Sequence, residues 1–130
     1  MSLGIVIVSH VDKIAAGVQT LISQVAADIS VTVAGGTDDG GVGTSVEKIQ
    51  QAISDNAGTE ILAFYDLGSA KMNLELAQDF SDKPVYLYDV ALVEGAYTAA
   101  ALLQAGVDRS AVEAQLADLK VNKFWLGVRS

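Results

Sequence analysis

The stretch Leu3-Gly4-Ile5-Val6-Ile7-Val8 runs apolar and largely β-branched without a break, then stops at Ser9-His10. A run of this length bounded by polar residues reads as a strand buried on both faces, the kind found inside a parallel sheet. Such a strand needs helices above and below it, which leaves few architectures. In parallel sheets, ligands and chemistry collect beyond the carboxyl ends of the strands. His10, the sole histidine of the chain, stands at one of those ends. It is either satisfied by a local backbone contact or displayed for chemistry, and at this point both readings are open.

Composition narrows the function classes. A length of 130 residues fits one domain with a real core, and 51% hydrophobic residues argue for a compact globule. The formal charge of −8 opposes binding to nucleic acid or to an anionic membrane, whose phosphates would be repelled. Without cysteine there is neither a disulfide framework nor a thiolate metal site. The first apolar run lacks a basic flank and is too short for a signal peptide or a membrane span. The expectation is a cytoplasmic protein.

Hydrophobic periodicity alternates along the chain. Asp12 is placed to cap a first helix with Ile14, Val18, Leu21, Ile22 and Val25 at helical spacing, ending near Asp28. Residues 29–34 read as a second strand, followed by a glycine-rich loop over residues 35–43. Thr44-x-x-Glu47 has the form of a capping box before Val46, Ile49 and Ile53, and that helix ends around residues 56–58. A third strand covers residues 60–65 and stops at Asp66-Leu67-Gly68. Ser69 is placed to cap a third helix with Met72, Leu76 and Phe80 inward. Pro84 opens a fourth strand over residues 85–88. An alanine-rich helix over residues 92–103 has so little polar surface that it must be covered on more than one side, which fits a subunit contact. Ser110-x-x-Glu113 forms another capping box, with Asp108 competing, ahead of Val112, Leu116 and Leu119.

This alternation predicts an α/β fold with one doubly wound, mostly parallel four-stranded sheet, order 2-1-3-4, and helices on both faces. That order places His10, the glycine loop and Asp66 on one rim. A phosphoryl group carried on an imidazole needs an exposed ring nitrogen, a partner orienting the other nitrogen, and donors for its oxygens. Asp66 is a candidate orienter; its plainer role is to cap a turn. Gly36, Gly43, Thr44, Ser45, Gly68 and Ser69 are candidate donors, through backbone amides, hydroxyls or a helix N-terminus. Thr44 also serves as a cap. The glycine loop is neither a Walker A sequence, since Val42 follows Gly40-Gly41, nor a dinucleotide fingerprint, since the third glycine is lacking. Asp38, Asp39 and Asp66 could share a metal, but paired aspartates are ordinary turn residues, so no metal and no cofactor is assigned. A receiver domain would use Asp66 but needs an acidic pair where this chain has Ser9-His10. A flavin-binding α/β domain is a further rival.

Four segments in order carry a resemblance: Gly4 through His10, Gly43-Thr44-Ser45, Asp66 through Asn73, and Leu92 through Ala96. Together they resemble the DhaM phosphoryl-carrier subunits of phosphoenolpyruvate-dependent dihydroxyacetone kinases, a family related to the IIA domains of mannose-type sugar phosphotransferase systems. The likeness spans residues 1–121 as one phosphocarrier domain, leaving 122–130 as a C-terminal tail whose Phe124-Trp125-Leu126 has no counterpart. It departs at Val11, where relatives often carry serine. The resemblance implies that His10 accepts phosphate from phospho-HPr and passes it to ADP held on DhaL, which with DhaK phosphorylates dihydroxyacetone. Mannose-type relatives donate to a IIB domain instead. It also implies a homodimer, and reliance on a separate HPr rather than a fused one.

Overall fold

The computed structural model describes residues 2–123. Four strands, β1 (Leu3–Ser9), β2 (Val31–Gly35), β3 (Glu60–Tyr65) and β4 (Val85–Tyr88), form one parallel sheet in the order β2-β1-β3-β4. The predicted class and strand order hold. Among the described residues, five α-helices intervene or follow: α1 (Asp12–Ser23), α2 (Val46–Asp55), α3 (Gly68–Asp79), α4 (Leu92–Gln104) and α5 (Arg109–Leu116).

The period-2 alternation of a strand divides the core in two. Ile5 and Ile7 of β1 join Leu62 and Phe64 of β3 under α1, α4 and α5. Val6 and Val8 point the other way, with Ile61, Ala63 and Tyr65, under α2 and α3. All four of these β1 side chains are fully buried, as the opening apolar run requires.

The inner face of α3 differs from the expected one. Ala70, Leu74 and Ala77 are buried, while Met72, Leu76 and Phe80 are 75%, 44% and 69% exposed. At about 100° per residue, Ser69 falls within the Met72–Leu76–Phe80 arc, so turning that arc inward would bury its hydroxyl under the sheet. The Ala70–Leu74–Ala77 arc lies roughly 130° further round the helix, which leaves Ser69 and Asn73 on its shoulder.

Other boundaries shift for local reasons. α1 stops at Ser23 rather than near Asp28, because two tight turns (Val25 N–H to Ile22 O, Ile29 N–H to Ala26 O) bring the chain back to β2. Its N-cap is Val11, and Asp12 sits in the first turn, where its charge suits the helix dipole. Gly35 closes β2 against this turn; a Cβ there would come within 2.6 Å of the Asp12 backbone. α2 is capped by Ser45, not Thr44: the Ser45 hydroxyl accepts from Lys48 N–H at 3.2 Å, while Thr44 is held by Asn73. At α5 the competing cap prevails, with Asp108 accepting from Ala111 N–H at 2.9 Å. Glu113 instead accepts from the Tyr88 hydroxyl and pairs with Arg109.

In α4, Gly95, Ala96, Ala99 and Ala100 are buried against the sheet. Its outer side leaves Val93 and Tyr97 exposed, and the neighbouring α1 exposes Ile14 and Leu21. No helix among the described residues is long and apolar enough to cross a membrane.

Candidate phosphoryl site

β1 and β3 are adjacent, with Val8 beside Tyr65 in the ladder. The next residues to leave the sheet therefore emerge together: Ser9 and His10 from β1, Asp66 from β3. His10 Nδ1 lies 2.9 Å from Asp66 Oδ1, and His10 Nε2 lies 2.6 Å from the Ser69 hydroxyl. The side chains of His10 and Asp66 are 16% and 14% exposed, enough for the ring edge to reach solvent.

Asp66 is held on every side by donors. Its Oδ2 accepts the Ser9 hydroxyl at 2.8 Å and the His10 amide at 3.0 Å. Its Oδ1 accepts the Leu67 amide at 2.7 Å besides facing the ring. Burial alone raises a carboxyl's pKa; these hydrogen bonds, the His10 amide and ring foremost, outweigh it and hold Asp66 below the ordinary value. A carboxylate accepts and cannot donate, so Nδ1 carries the ring proton. In the neutral imidazole Nε2 then holds the lone pair, the Ser69 O–H donates to it, and this nucleophilic nitrogen faces the first turn of α3.

The other candidate donors are placed unevenly. Gly68 opens α3, so its amide and that of Ser69 lie at the positive end of this helix, on the ring's own rim. Gly36 N–H donates to Ser9 O at 3.1 Å and Gly43 N–H to His10 O at 2.8 Å, so both amides hold the histidine strand rather than stand free. Gly43 does this at φ +143°, which a Cβ-bearing residue rarely adopts. The Ser45 hydroxyl is occupied by its helix cap and by Asp38. Thr44 accepts from Asn73 Nδ2 at 2.7 Å, which leaves its hydroxyl proton for another acceptor. Asp38 and Asp39 are engaged by Ser45 and Thr37, and no trio of metal-ligating side chains forms among the described residues.

Sequence reasoning missed three contributors. Ser9 bridges Asp66 and the Val11 amide; its place beside His10, at the end of an apolar run, was the available signal. Asn73 ties α3 to the glycine loop, and it stands one turn after Ser69. Lys123, 4% exposed, donates to the Tyr65 carbonyl immediately before Asp66. No periodicity pointed to it. The Phe124-Trp125-Leu126 tail lies outside the described residues.

Residues 4–113 match the EIIA-man family, described as the PTS system fructose IIA component. The chain is 46% identical over 123 residues to the phosphotransferase subunit DhaM of the PTS-dependent dihydroxyacetone kinase of Lactococcus lactis, covering 95% of this chain and all of that one. It is 41% identical to the phosphoryl donor subunit DhaM of PEP-dependent dihydroxyacetone kinase 1 of Listeria innocua, over 91% and 95% of the two chains. Among solved structures, EF1359, a protein of unknown function, superposes with a TM-score of 0.81 at 32% identity, covering 95% of this chain and 99% of the other. A sigma-54 interaction domain protein from Enterococcus faecalis shares the fold, with a TM-score of 0.67 at 11% identity over 89% and 88% of the two chains. The chain belongs to the EIIA-man family, alongside its DhaM members.

Proposed function

We propose that this chain is a phosphoryl carrier that receives a phosphoryl group from phospho-HPr on His10 and delivers it to ADP bound on a DhaL partner, which with DhaK phosphorylates dihydroxyacetone. One observation carries the reading: a histidine with Nδ1 committed to a carboxylate and Nε2 turned to a hydroxyl at a helix N-terminus. The names of the relatives agree with it.

The chemistry follows from the geometry. Nε2 attacks the phosphorus of the incoming phosphohistidine; the new N–P bond forms as the donor's breaks. Positive charge develops on the His10 ring, and Asp66 stabilises it through Nδ1–H. The Ser69 hydroxyl turns from Nε2 to a phosphoryl oxygen, joined by the Gly68 and Ser69 amides and the Thr44 hydroxyl. Delivery runs the same displacement in reverse, with an oxygen of ADP as nucleophile.

The exposed apolar side chains Leu67, Met72, Leu76 and Val42 lie on elements that frame the ring and suit contact with a protein donor or acceptor. The exposed side chains of α1 and α4 suit a homodimer contact. The test is to incubate the protein with phosphoenolpyruvate, enzyme I and HPr. An acid-labile phosphate is expected, and His10→Ala abolishes it; labelling that persists in the variant overturns the assignment.

A second reading, a mannose-type IIA component donating to a IIB domain, is favoured by the family's description as a sugar-system component. Adding DhaL–ADP or a IIB domain to the phosphorylated protein decides between the two by which one drains it.

A further inference from the structure

Asp66 orients His10, so whatever fixes Asp66 acts on the site. The β3–β4 ladder ends at the Phe64–Tyr88 pair, one residue before Tyr65. Beyond that point Tyr65 is held by other means. Its hydroxyl donates to Asp89, which also pairs with Lys71 at 3.0 Å. Its carbonyl accepts from Lys123 Nζ, and that ammonium lies 4.3 Å from the Tyr65 ring centroid.

Lys123 reaches this place on the segment after α5. That segment runs antiparallel to residues 89–91, through Ala91 N–H to Leu119 O and Val121 N–H to Asp89 O. It closes one side of a cavity of about 670 Å³ lined by Tyr65, Lys71, Tyr88, Asp89, Glu113 and Lys123. A buried ammonium loses hydration, and this one has no carboxylate within ion-pair distance among the described residues. Burial pushes its pKa down to about 8, against the pull of Asp66 and Asp89. A methionine would fill the same space without that cost but would leave the Tyr65 carbonyl without this donor.

We propose that Lys123 is a positioning residue of the His10 site: its buried ammonium anchors the Tyr65 carbonyl, from which Asp66 departs, and supplies the positive charge that balances the Asp66 carboxylate and a phosphoryl group on His10. The balance of the phosphoryl charge rests on the phosphoryl-carrier reading; the coupling of Lys123 to Asp66 and His10 does not. The groups acting on the ammonium are Asp66, Asp89 and the Tyr65 ring and carbonyl, while Lys71, Glu113 and Lys120 line the same cavity.

The unphosphorylated protein separates the two. Nitrogen-15 NMR titration of the His10 ring is compared in wild type, Lys123→Met and Lys123→Arg. Removing the cation favours the imidazolium, so Lys123→Met raises the His10 midpoint by about half a unit or more, and Lys123→Arg returns it toward wild type. Phosphoryl uptake from phospho-HPr falls roughly tenfold in Lys123→Met and is restored by arginine. An unchanged His10 titration and uptake rate in a folded Lys123→Met protein overturns the proposal and leaves a packing residue. If that variant does not fold, the wild type still decides. Its His10 is phosphorylated with phosphoramidate while the Lys123 side-chain nitrogen is followed, and the added negative charge must raise the Lys123 midpoint; no movement overturns the proposal. Failure of phospho-HPr to label the wild type counts against the carrier reading alone.

Discussion

The carboxylate of Asp66 grips both the ring and the backbone of one histidine: Oδ1 lies 2.9 Å from His10 Nδ1, and Oδ2 lies 3.0 Å from the His10 amide nitrogen. The two contacts fix the tautomer and the position of the ring together. Four groups face this carboxylate, and all four serve as donors.

Asp66→Asn therefore sets an NH₂ against at least one donor in either orientation of the amide. Phosphoryl uptake is expected to fall on the order of 100-fold or more while the protein stays folded. Single-turnover labelling from phospho-HPr checks the rate, and circular dichroism checks the fold. A rate equal to wild type would reduce Asp66 to a turn residue.

Ser69→Ala removes the hydroxyl 2.6 Å from Nε2 and leaves the helix backbone unchanged. Its expected effect is a loss of roughly tenfold in transfer rate, with stability within about 0.5 kcal/mol of wild type. Ser69→Thr keeps the hydroxyl and retains most of the rate. Equal losses in both variants would show that the hydroxyl itself is not used.

Stability should respond to acid through Asp66. Its folded pKa lies below the unfolded value of 3.8, so the unfolded chain binds the proton more readily. This contribution is complete above the unfolded pKa and is lost as the pH falls through the depressed folded value. Denaturant midpoints of wild type and Asp66→Asn should converge as the pH drops below about 4; a constant gap down to pH 2 contradicts it.

Lys123 acts in the opposite range. Its folded pKa near 8 lies below the ordinary 10.5, so between these values the unfolded chain holds the extra proton and rising pH favours the fold. The cost of the buried charge is fully present below about pH 8. Relative to Lys123→Met, the wild type should gain on the order of 2–3 kcal/mol between pH 8 and 10.5, as measured by urea unfolding. A flat difference across that window would mean that Lys123 titrates normally.

The two faces of α3 make a packing test. Leu74→Ala empties a fully buried position and should cost about 2–5 kcal/mol. Phe80→Ala, at a position 69% exposed, should change stability by less than about 0.5 kcal/mol. A reversed order in thermal unfolding would restore the apolar arc that bulk alone suggests.

Much of this was legible in the chain itself. The unbroken run from Leu3 to Val8, the alternation of periods and the rule for crossovers lead to a parallel sheet of order 2-1-3-4. Strand ends then bring His10 and Asp66 onto one rim without knowledge of any contact. Local signals were weaker wherever two residues competed for one task. Ser45 caps α2 because Asn73, 29 residues from Thr44, takes the Thr44 hydroxyl. Asp108 caps α5 because Glu113 is drawn to Tyr88 and Arg109.

The burial pattern of β1 and the placement of His10 are determined by sequence alone, because period-2 alternation and strand ends are properties of consecutive residues. The inner face of α3, the choice of caps and the arrival of Lys123 behind Asp66 were decided only in the folded protein. Each depends on what a distant segment presents across the gap. Only there do the cost of burying the Ser69 hydroxyl and the offer of the bare Tyr65 carbonyl come into force.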